Sequence, residues 1–214
     1  MVADTGRTVN GRGYERAKRA LDIAIASSVS VVASPLLAAI AIAIKVETAG
    51  PVFFRQERVG RHGRAFEILK FRTLRVGPVR DPADYLISAS DQRITRVGAF
   101  LRRWSLDELP QLWNVIRGEM SIVGPRPTLG YQVEQYDDFQ RRRLEVPPGV
   151  TGWAQVSGRN ALTWPERIQL DVWYVDHRSL WLDLRILAAT LPTLIRPRSI
   201  YGDAQGDWGE SGRA

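Results

Sequence analysis

The chain contains no cysteine among its 214 residues. It can therefore form neither a disulfide framework nor a thiolate metal site, and it has no thiol nucleophile. Histidine is almost as scarce, because only His62 and His177 occur, far apart and without a companion at ligand spacing. This argues against a histidine-based zinc site. A glycine-rich dinucleotide fingerprint and the phosphate-binding loop of nucleoside triphosphatases are also missing, which removes two common kinds of nucleotide site.

Lysine is rare too, although the chain is basic. The net charge is +7 and the sequence pI is about 10.2, yet the only lysines are Lys18, Lys45 and Lys70. Nearly all positive charge is therefore guanidinium, which binds phosphate with a planar, two-pronged fork. A general preference for arginine codons would give the same composition. The charge predicts attraction to nucleic acid, anionic lipid or phosphorylated substrates, without choosing among them.

One long apolar run extends from Ala20 to Ile44. About 20 such residues suffice to cross a bilayer as a helix. Ser34 and Pro35 lie in the middle of the run and predict a bend, because proline removes a backbone donor and crowds the preceding turn. Lysine and arginine flank both ends, as they do on the cytoplasmic side of membrane segments. A helix that enters and leaves on the same side and an ordinary kinked span both remain open at this point.

The rest of the pattern predicts a β-hairpin and several short helices, which gives an α+β fold class. Two runs rich in Phe, Val and Ile surround a turn at 60–63. Residues 80–91 have the composition of a loop. Helical spacing follows from residue 94, and further helices are predicted at 131–144 and 164–174.

The segment Leu180–Ile195 is predicted to be a helix with its leucines on one side. Trp181 near its start, together with Arg185 and Arg196, would suit a helix lying on a membrane surface. A helix that packs its leucines into the core explains the same periodicity. Both interpretations stay open on the sequence.

The most informative segment is WSLDELPQLWNVIR, residues 104–117. Ser105 and Glu108 have the spacing of a helix capping box, an interpretation that leaves Asp107 as a favourable charge in the first turn. A helix N-terminus also stabilises bound phosphate and keeps a neighbouring carboxylate ionised. Asp107 and Glu108 are therefore also candidates to divide the work of phosphoryl transfer, which needs a nucleophile and charge neutralisation.

Phosphate ligands for such a site would be cations. Each candidate is, by itself, more simply explained as a solvated surface charge. Arg126 stands out, because the rigid run Gly-Pro-Arg-Pro holds its backbone and leaves the guanidinium free. The candidates are Lys70, Arg72, Arg102, Arg103 and Arg126.

Several long stretches, taken in order, resemble the bacterial sugar transferase family, the monotopic phosphoglycosyl transferases that start glycan assembly on polyprenyl carriers. The resemblance extends from Tyr14 to Ile195 and corresponds to the minimal form of the family. The matching stretches are KRALDIAIA, the Ser-Pro pair, GPVFFRQERVGRHGRAFEILKFRTL, DQRITRVGAFLRRWSLDELPQLWNVIRGEMSIVGPRP, PPGVTGWAQVSGRN and LDVWYVDHRSLWLDLRIL.

This resemblance implies a membrane helix at 14–46 that is broken at Ser34-Pro35 and re-enters the same side. It also implies a catalytic domain at 47–197, with interfacial amphipathic helices, on the cytoplasmic face of the bacterial inner membrane. Residues 1–13 and 198–214 are predicted to be a flexible lead-in and tail.

The reaction implied by the resemblance transfers a sugar-1-phosphate from a nucleotide sugar, expected to be a UDP-sugar, to polyprenyl phosphate. Asp107 would be the nucleophile and form a phosphosugar-aspartyl intermediate, while Glu108 would hold Mg²⁺. Lys70, Arg72, Arg126 and Asp171 lie in matching motifs and become site candidates. The expected partners are the nucleotide sugar, polyprenyl phosphate and membrane lipid, without nucleic acid; a homo-oligomer stays open.

Two other functions fit parts of the sequence. The arginine content would suit a membrane-tethered nucleic-acid-binding protein, although that hypothesis does not explain the Asp-Glu pair. A lipid-linked phosphohydrolase would keep the chemistry and use water as the acceptor. The identity of the sugar depends on a few contacts that a sequence does not reveal.

Overall fold

The computed structural model describes residues 11–77, 91–158 and 162–195. Three predicted features lie wholly or largely outside these ranges: the lead-in at 1–13, the loop at 80–91 and the tail at 198–214. Within the described residues the fold mixes helices with two small sheets, as the predicted α+β class requires.

The first half of the chain contains one long helix, a hairpin and two shorter helices. Strands β1 and β2 pair in antiparallel register, and the helices α2 and α3 follow them. In order, the elements are α1 (Arg12–Glu47), β1 (Phe53–Val59), β2 (Ala65–Phe71), α2 (Arg96–Arg103) and α3 (Gln111–Arg117).

The second half carries a short parallel pair, β3 with β4, and five helices among its described residues. In order, the elements are β3 (Ser121–Val123), α4 (Gly130–Glu134), α5 (Asp138–Arg141), β4 (Gly149–Thr151), α6 (Trp153–Ser157), α7 (Trp164–His177) and α8 (Leu180–Ile195).

The predicted hairpin is confirmed. Its register runs from Phe53 opposite Phe71, whose rings stack with centroids 5.5 Å apart, to Val59 opposite Ala65. The turn contains His62 in the left-handed region at φ 58°. This pairing sets the position of β2, which carries Lys70 near its end.

Helix α1 continues through the predicted point of interruption. Pro35 lies inside it and has no N–H to donate to the carbonyl of Val31. The hydroxyl of Ser34 donates to that carbonyl instead, at 2.8 Å. The side chains around this point are exposed, with Val32 82% accessible. The Ser-Pro pair is thus accommodated without ending the helix.

The N-terminal part of α1 is fixed to the domain by buried polar contacts. Arg19 donates to the carbonyl oxygens of Val115 and Ile116 at the end of α3, at 2.5 and 2.8 Å. The carboxylate of Asp22 accepts a bond from the backbone N–H of Ile122 in β3, at 3.1 Å. Breaking these contacts would leave buried polar groups unpaired, which is costly.

The C-terminal end of α1 is fixed to the same domain. The carboxylate of Glu47 accepts bonds from the first two backbone N–H groups of α2, at 2.6 and 3.0 Å. The guanidinium of Arg72 donates to the carbonyl oxygens of Thr48 and Ala49, at 2.9 and 2.6 Å. Both ends of the apolar helix are therefore attached to one domain, while its middle is exposed.

Two apolar clusters form most of the core, and α1 contributes to both. The larger lies between α1, β2, β3 and α3, with α7 and α8 behind. The smaller joins the end of α1 to β2 and α2 through Ile40, Ile44, Phe71 and Leu101. The larger consists of Ala26, Ile68, Leu112, Val115, Met120, Ile122, Val123, Tyr174, Leu182 and Ile186.

The prediction of one helix at 131–144 was wrong in its continuity. The segment is divided into α4, α5 and the 3₁₀ turn Arg142–Glu145. Asp137 explains the division, because its side chain accepts a bond from the N–H of Gln140 at 2.7 Å and begins a new helix as an N-cap. Such capping bonds compete with helix continuation.

The two C-terminal helices are confirmed, and α8 shows which face it buries. Leu182 and Ile186 point into the core, at 7% and 0% exposure. Three of the predicted stripe residues (Leu180, Leu184 and Leu191) are exposed instead, as is Trp181. This arrangement favours the membrane-surface interpretation over core packing of the leucines.

Candidate active site

Asp107 and Glu108 lie in a short 3₁₀ helix, Leu106–Glu108, between α2 and α3. Ser105, just before it, has left-handed backbone angles (φ 54°, ψ 22°) and its side chain makes no capping bond. The capping-box interpretation is therefore wrong. A non-glycine residue in this conformation costs about 1–3 kcal/mol, and such residues cluster at functional sites. Here the turn directs both carboxylates towards neighbouring cations.

Two cations bind one oxygen of Glu108. The ammonium of Lys70, near the end of β2, donates to Oε1 at 2.8 Å, and the guanidinium of Arg126 donates to the same atom at 2.9 Å. Burial acts to raise the pKa of the Glu108 carboxyl. The charges and hydrogen bonds of Arg126 and Lys70 outweigh burial and hold this pKa well below its usual range. Glu108 is therefore a fixed negative charge.

Asp107 behaves differently from its neighbour. Burial, with a further contribution from the Glu108 charge, raises the pKa of Asp107 to about 6. Lys70, Arg102 and Arg126 act in the opposite direction and limit the shift. Two adjacent carboxyl groups are thus pushed apart in pKa, a pattern typical of groups that divide catalytic roles. Asp107 is mostly ionised at neutral pH and lacks the ion pairs that occupy Glu108.

A close contact between two backbone segments places Arg126. The N–H of Gly124 donates to the carbonyl of Thr151 at 2.9 Å, and the N–H of Gly149 donates to the carbonyl of Pro125 at 2.8 Å. A Cβ added at Gly149 would lie 2.1 Å from the nitrogen of Gly124. Only glycine permits this approach. Arg126 therefore leaves a rigid loop, and 53% of its side chain remains exposed for a ligand.

Arg102 and Arg72 have different positions. Arg102 donates to the hydroxyl of Thr73 at 2.8 Å, and its charge favours the ionised form of Asp107. The guanidinium of Arg72, by contrast, is bound to the backbone at the end of α1, and the residue is 6% exposed. The structure does not bring Arg72 to the carboxylates. Binding phosphate would require Arg72 to give up its present bonds.

Asp171 lies behind the site and not at its surface. It is 2% exposed on α7 and accepts a bond from the guanidinium of Arg143 at 2.5 Å. Burial raises the pKa of Asp171 to about 6, against the charges of Arg143 and of two further arginines, Arg167 and Arg126. Arg143 cannot be singled out from the sequence, because nothing in the run of arginines at 141–143 separates it from its neighbours.

The carboxylate of Glu108 suits a magnesium site in which water and substrate phosphates supply the other ligands. Magnesium is usually held by one or two carboxylates together with water and substrate phosphates. Across residues 11–77, 91–158 and 162–195 there is no group of three or more His, Cys, Asp or Glu side chains that could hold a metal. The hydrogen bonds that Lys70 and Arg126 donate to Glu108 both end on Oε1 of its carboxylate.

Comparison with known proteins identifies the family. The chain matches the family of bacterial sugar transferases over residues 13–197. It belongs to the bacterial sugar transferase family. The family resemblance and the transferase class expected from the sequence are thereby confirmed.

Curated relatives differ in how much of their length this transferase spans. It is 43% identical over 174 residues to the uncharacterized sugar transferase EpsL of Bacillus subtilis. That match covers 81% of this chain and 85% of EpsL. It is 40% identical over 201 residues to the exopolysaccharide production protein ExoY of Rhizobium meliloti, 86% of this chain and 88% of ExoY.

Another relative is much longer. The transferase is 46% identical over 176 residues to the UDP-glucose:undecaprenyl-phosphate glucose-1-phosphate transferase of Xanthomonas campestris pv. campestris. That match covers 78% of this chain but 36% of the relative. The chain therefore spans nearly all of some relatives and about a third of this one.

The membrane segment also stands out in the structure. Within the described residues one helix, α1 over Gly13–Glu47, is long and apolar enough to cross a membrane. Only 11% of its most apolar 18-residue stretch is buried. A core helix would be mostly buried. The low burial therefore fits the membrane association expected of this family member.

The pKa of Asp107 generates the first prediction. If the carboxylate of Asp107 must be ionised to react, kcat/KM will rise with pH through about pH 6 and level off above it. Lys70→Met removes a positive charge that favours the ionised form, so the acid limb should move to higher pH. The measurement is the pH profile of kcat/KM for sugar-phosphate transfer.

The control for this prediction is Arg64→Met, which removes an exposed positive charge at the hairpin turn. Its acid limb should coincide with that of the wild type. An acid limb that is the same in all three proteins would show that Asp107 does not set the pH dependence.

Proposed function

We propose that this chain transfers a sugar-1-phosphate from a UDP-sugar to polyprenyl phosphate, releasing a nucleoside monophosphate. The observation that carries the proposal is an ionisable Asp107, without an ion pair among the described residues, next to a Glu108 fixed by Lys70 and Arg126. Relatives named for undecaprenyl-phosphate sugar transfer support the choice of substrates. The product, a polyprenyl-diphosphate-sugar, would begin the assembly of a glycan on the membrane.

In the proposed first step, a carboxylate oxygen of Asp107 attacks the phosphorus that bears the sugar. A new bond forms between this oxygen and phosphorus, and the bond from phosphorus to the nucleoside monophosphate breaks. The leaving group departs with the bonding electrons as its phosphate anion. The phosphosugar is then held covalently on Asp107, a form of nucleophilic catalysis that divides one displacement into two.

In the second step, an oxygen of polyprenyl phosphate attacks the same phosphorus. The bond to Asp107 breaks, the carboxylate is regenerated, and the diphosphate linkage of the product forms. Water in place of the lipid phosphate would release the free sugar phosphate.

The cations have separate roles in this scheme. Arg126 is half exposed and has further N–H groups beyond the one that binds Glu108, so it can bind the donor phosphates in the planar geometry that suits guanidinium. Lys70 keeps Glu108 charged and lowers the pKa of Asp107. These fixed charges stabilise the additional negative charge of the transition state.

Glu108 would hold magnesium together with phosphate oxygens of the donor. When bound, it would neutralise charge on the diphosphate and favour the departure of the nucleoside monophosphate. Glu108 is suited to this role, because Lys70 and Arg126 keep its carboxylate ionised over the physiological pH range.

The membrane arrangement that we propose is a re-entrant α1 that stays helical but bends at Pro35 within the membrane, with the domain on the cytoplasmic face. Both ends of α1 are attached to one domain, and Val31 and Val32 in its middle are exposed, at 72% and 82%. Lysine and arginine on both flanks favour the cytoplasmic side. Trp181 and Leu184 on α8 would contact the same membrane surface.

The proposed chemistry predicts that the two carboxylates fail differently when changed. Asp107→Asn keeps the shape and removes the attacking anion, so turnover should fall by about a thousandfold or more. Its unfolding free energy should not fall, because burial already disfavours the charged Asp107 carboxylate in the fold, as its raised pKa shows. The measurement is nucleoside monophosphate release from UDP-sugars with polyprenyl phosphate present.

Glu108→Gln is the matched variant. It weakens metal binding, so added Mg²⁺ should restore part of its activity. It also removes a neighbouring negative charge, so the pKa of Asp107 should fall and the acid limb should move to lower pH. Equal, unrescued losses in both variants would contradict the division of roles. Equal turnover without polyprenyl phosphate would indicate a hydrolase.

The re-entrant arrangement predicts that both ends of α1 lie on the cytoplasmic side. The chain has no cysteine, so single replacements can be labelled one at a time. Gly13→Cys and Val46→Cys, both at exposed positions, should resist an impermeant thiol reagent in intact spheroplasts and react after permeabilisation. Val32→Cys, in the exposed middle of the helix, should resist the reagent in both conditions. Labelling of one end in intact spheroplasts would mean an ordinary span.

A further inference from the structure

A buried arginine lies directly behind the site. Arg143, in the 3₁₀ turn that follows α5, is 3% exposed. Its guanidinium lies between two aromatic rings, 5.8 Å from the centroid of Tyr136 and 5.4 Å from that of Trp164. A charge this deeply buried is costly unless its donors are paired.

The donors of Arg143 are paired with three different segments. Nη1 donates to the hydroxyl of Tyr136 at 2.6 Å. Nη2 donates both to the carboxylate of Asp171 on α7, at 2.5 Å, and to the backbone carbonyl of Arg126, at 3.0 Å. The last bond matters most, since it holds the main chain of the residue whose side chain reaches Glu108.

We infer that Arg143 is a positioning residue for the transfer reaction: it holds the main chain of Arg126 so that the guanidinium of Arg126 meets Glu108 and the donor phosphates. Arg143 itself touches neither substrate nor the reacting carboxylate. The inference rests on the proposed function. It also gives Asp171 a role, as the buried counter-charge that fixes Arg143.

A lysine could not take over this arrangement. Its ammonium is a single point donor and lacks the planar fork that reaches Tyr136 on one side and Arg126 with Asp171 on the other. Arg143→Lys therefore keeps the charge next to Asp171 but loses at least one of the bonds. The backbone of Arg126 then gains freedom, and a displacement of about 1 Å at a positioning group can cost as much as a hundredfold in rate.

The test is a double-mutant cycle between Arg143→Lys and Arg126→Gln. Alone, Arg143→Lys should lower kcat/KM between about tenfold and a hundredfold, with a raised KM for the nucleotide sugar. In the Arg126→Gln background the same change should cost no more than about twofold, because the side chain that it positions is gone. A residue that is merely structural would cost the same factor in both backgrounds.

A second readout of the same cycle does not depend on turnover. The affinity for inorganic pyrophosphate, measured by calorimetry, should fall on Arg143→Lys only when Arg126 is present. Failure of the proposed function would abolish turnover and leave this measurement intact. Additive losses in both readouts, or a wild-type protein that binds no pyrophosphate, would overturn the inference.

Two further variants guard against misfolding. Tyr136→Phe removes a single hydroxyl and keeps the ring over Arg143, so it should produce a smaller loss of the same kind, again only with Arg126 present. Arg142→Lys is the matched control, since Arg142 pairs with Asp176 and contacts neither Arg126 nor Asp171. Its kcat/KM should equal that of the wild type. A loss in Arg142→Lys as large as that in Arg143→Lys would also contradict the inference.

Discussion

Two adjacent carboxyl groups cannot both be ionised in a partly buried site unless positive charge compensates for at least one of them. In this transferase the direct ion pairs are made with only one of the two carboxylates. Lys70 and Arg126 both bind Oε1 of Glu108, whereas Asp107 has a raised pKa and no ion pair in the part of the chain that the structure describes. The hairpin places Lys70 beside Glu108. The close backbone contact between Gly124 and Gly149 places Arg126 there as well.

Polar contacts also determine how α1 is attached to the domain. Both ends of this apolar helix are bound to the domain through buried or partly buried polar groups. Arg72 belongs to this second arrangement: it closes the end of α1 onto the hairpin and does not face the carboxylates. The same strand thus carries Lys70 to the chemistry and is followed by a residue that fixes the helix in place. Strand β2 therefore links α1 to the active site, because Lys70 binds Glu108 and Arg72 binds the end of α1.

Much of this could be predicted from the sequence, for identifiable reasons. The hairpin and α7 follow from local patterns, namely two runs rich in Phe, Val and Ile around a turn and the helical pattern at 164–174. The family resemblance implied that Lys70, Glu108 and Arg126 belong to one site, but the ion pairs that join them were not predicted, since no local rule brings these residues together. The capping interpretation of Ser105 failed because its backbone is left-handed, which spacing does not encode. Arg143 was missed because its partners are distant in sequence and its neighbours are identical.

Mass spectrometry of quenched enzyme tests the central claim, that Asp107 is the nucleophile, most directly. Enzyme given the nucleotide sugar without polyprenyl phosphate should release about one equivalent of nucleoside monophosphate per active site and carry the phosphosugar on the peptide that contains Asp107. The adduct should be absent in Asp107→Asn. If no adduct forms and the monophosphate is released only when both substrates are bound, the carboxylate of Asp107 acts as a base or a metal ligand, and the account given for the site is wrong.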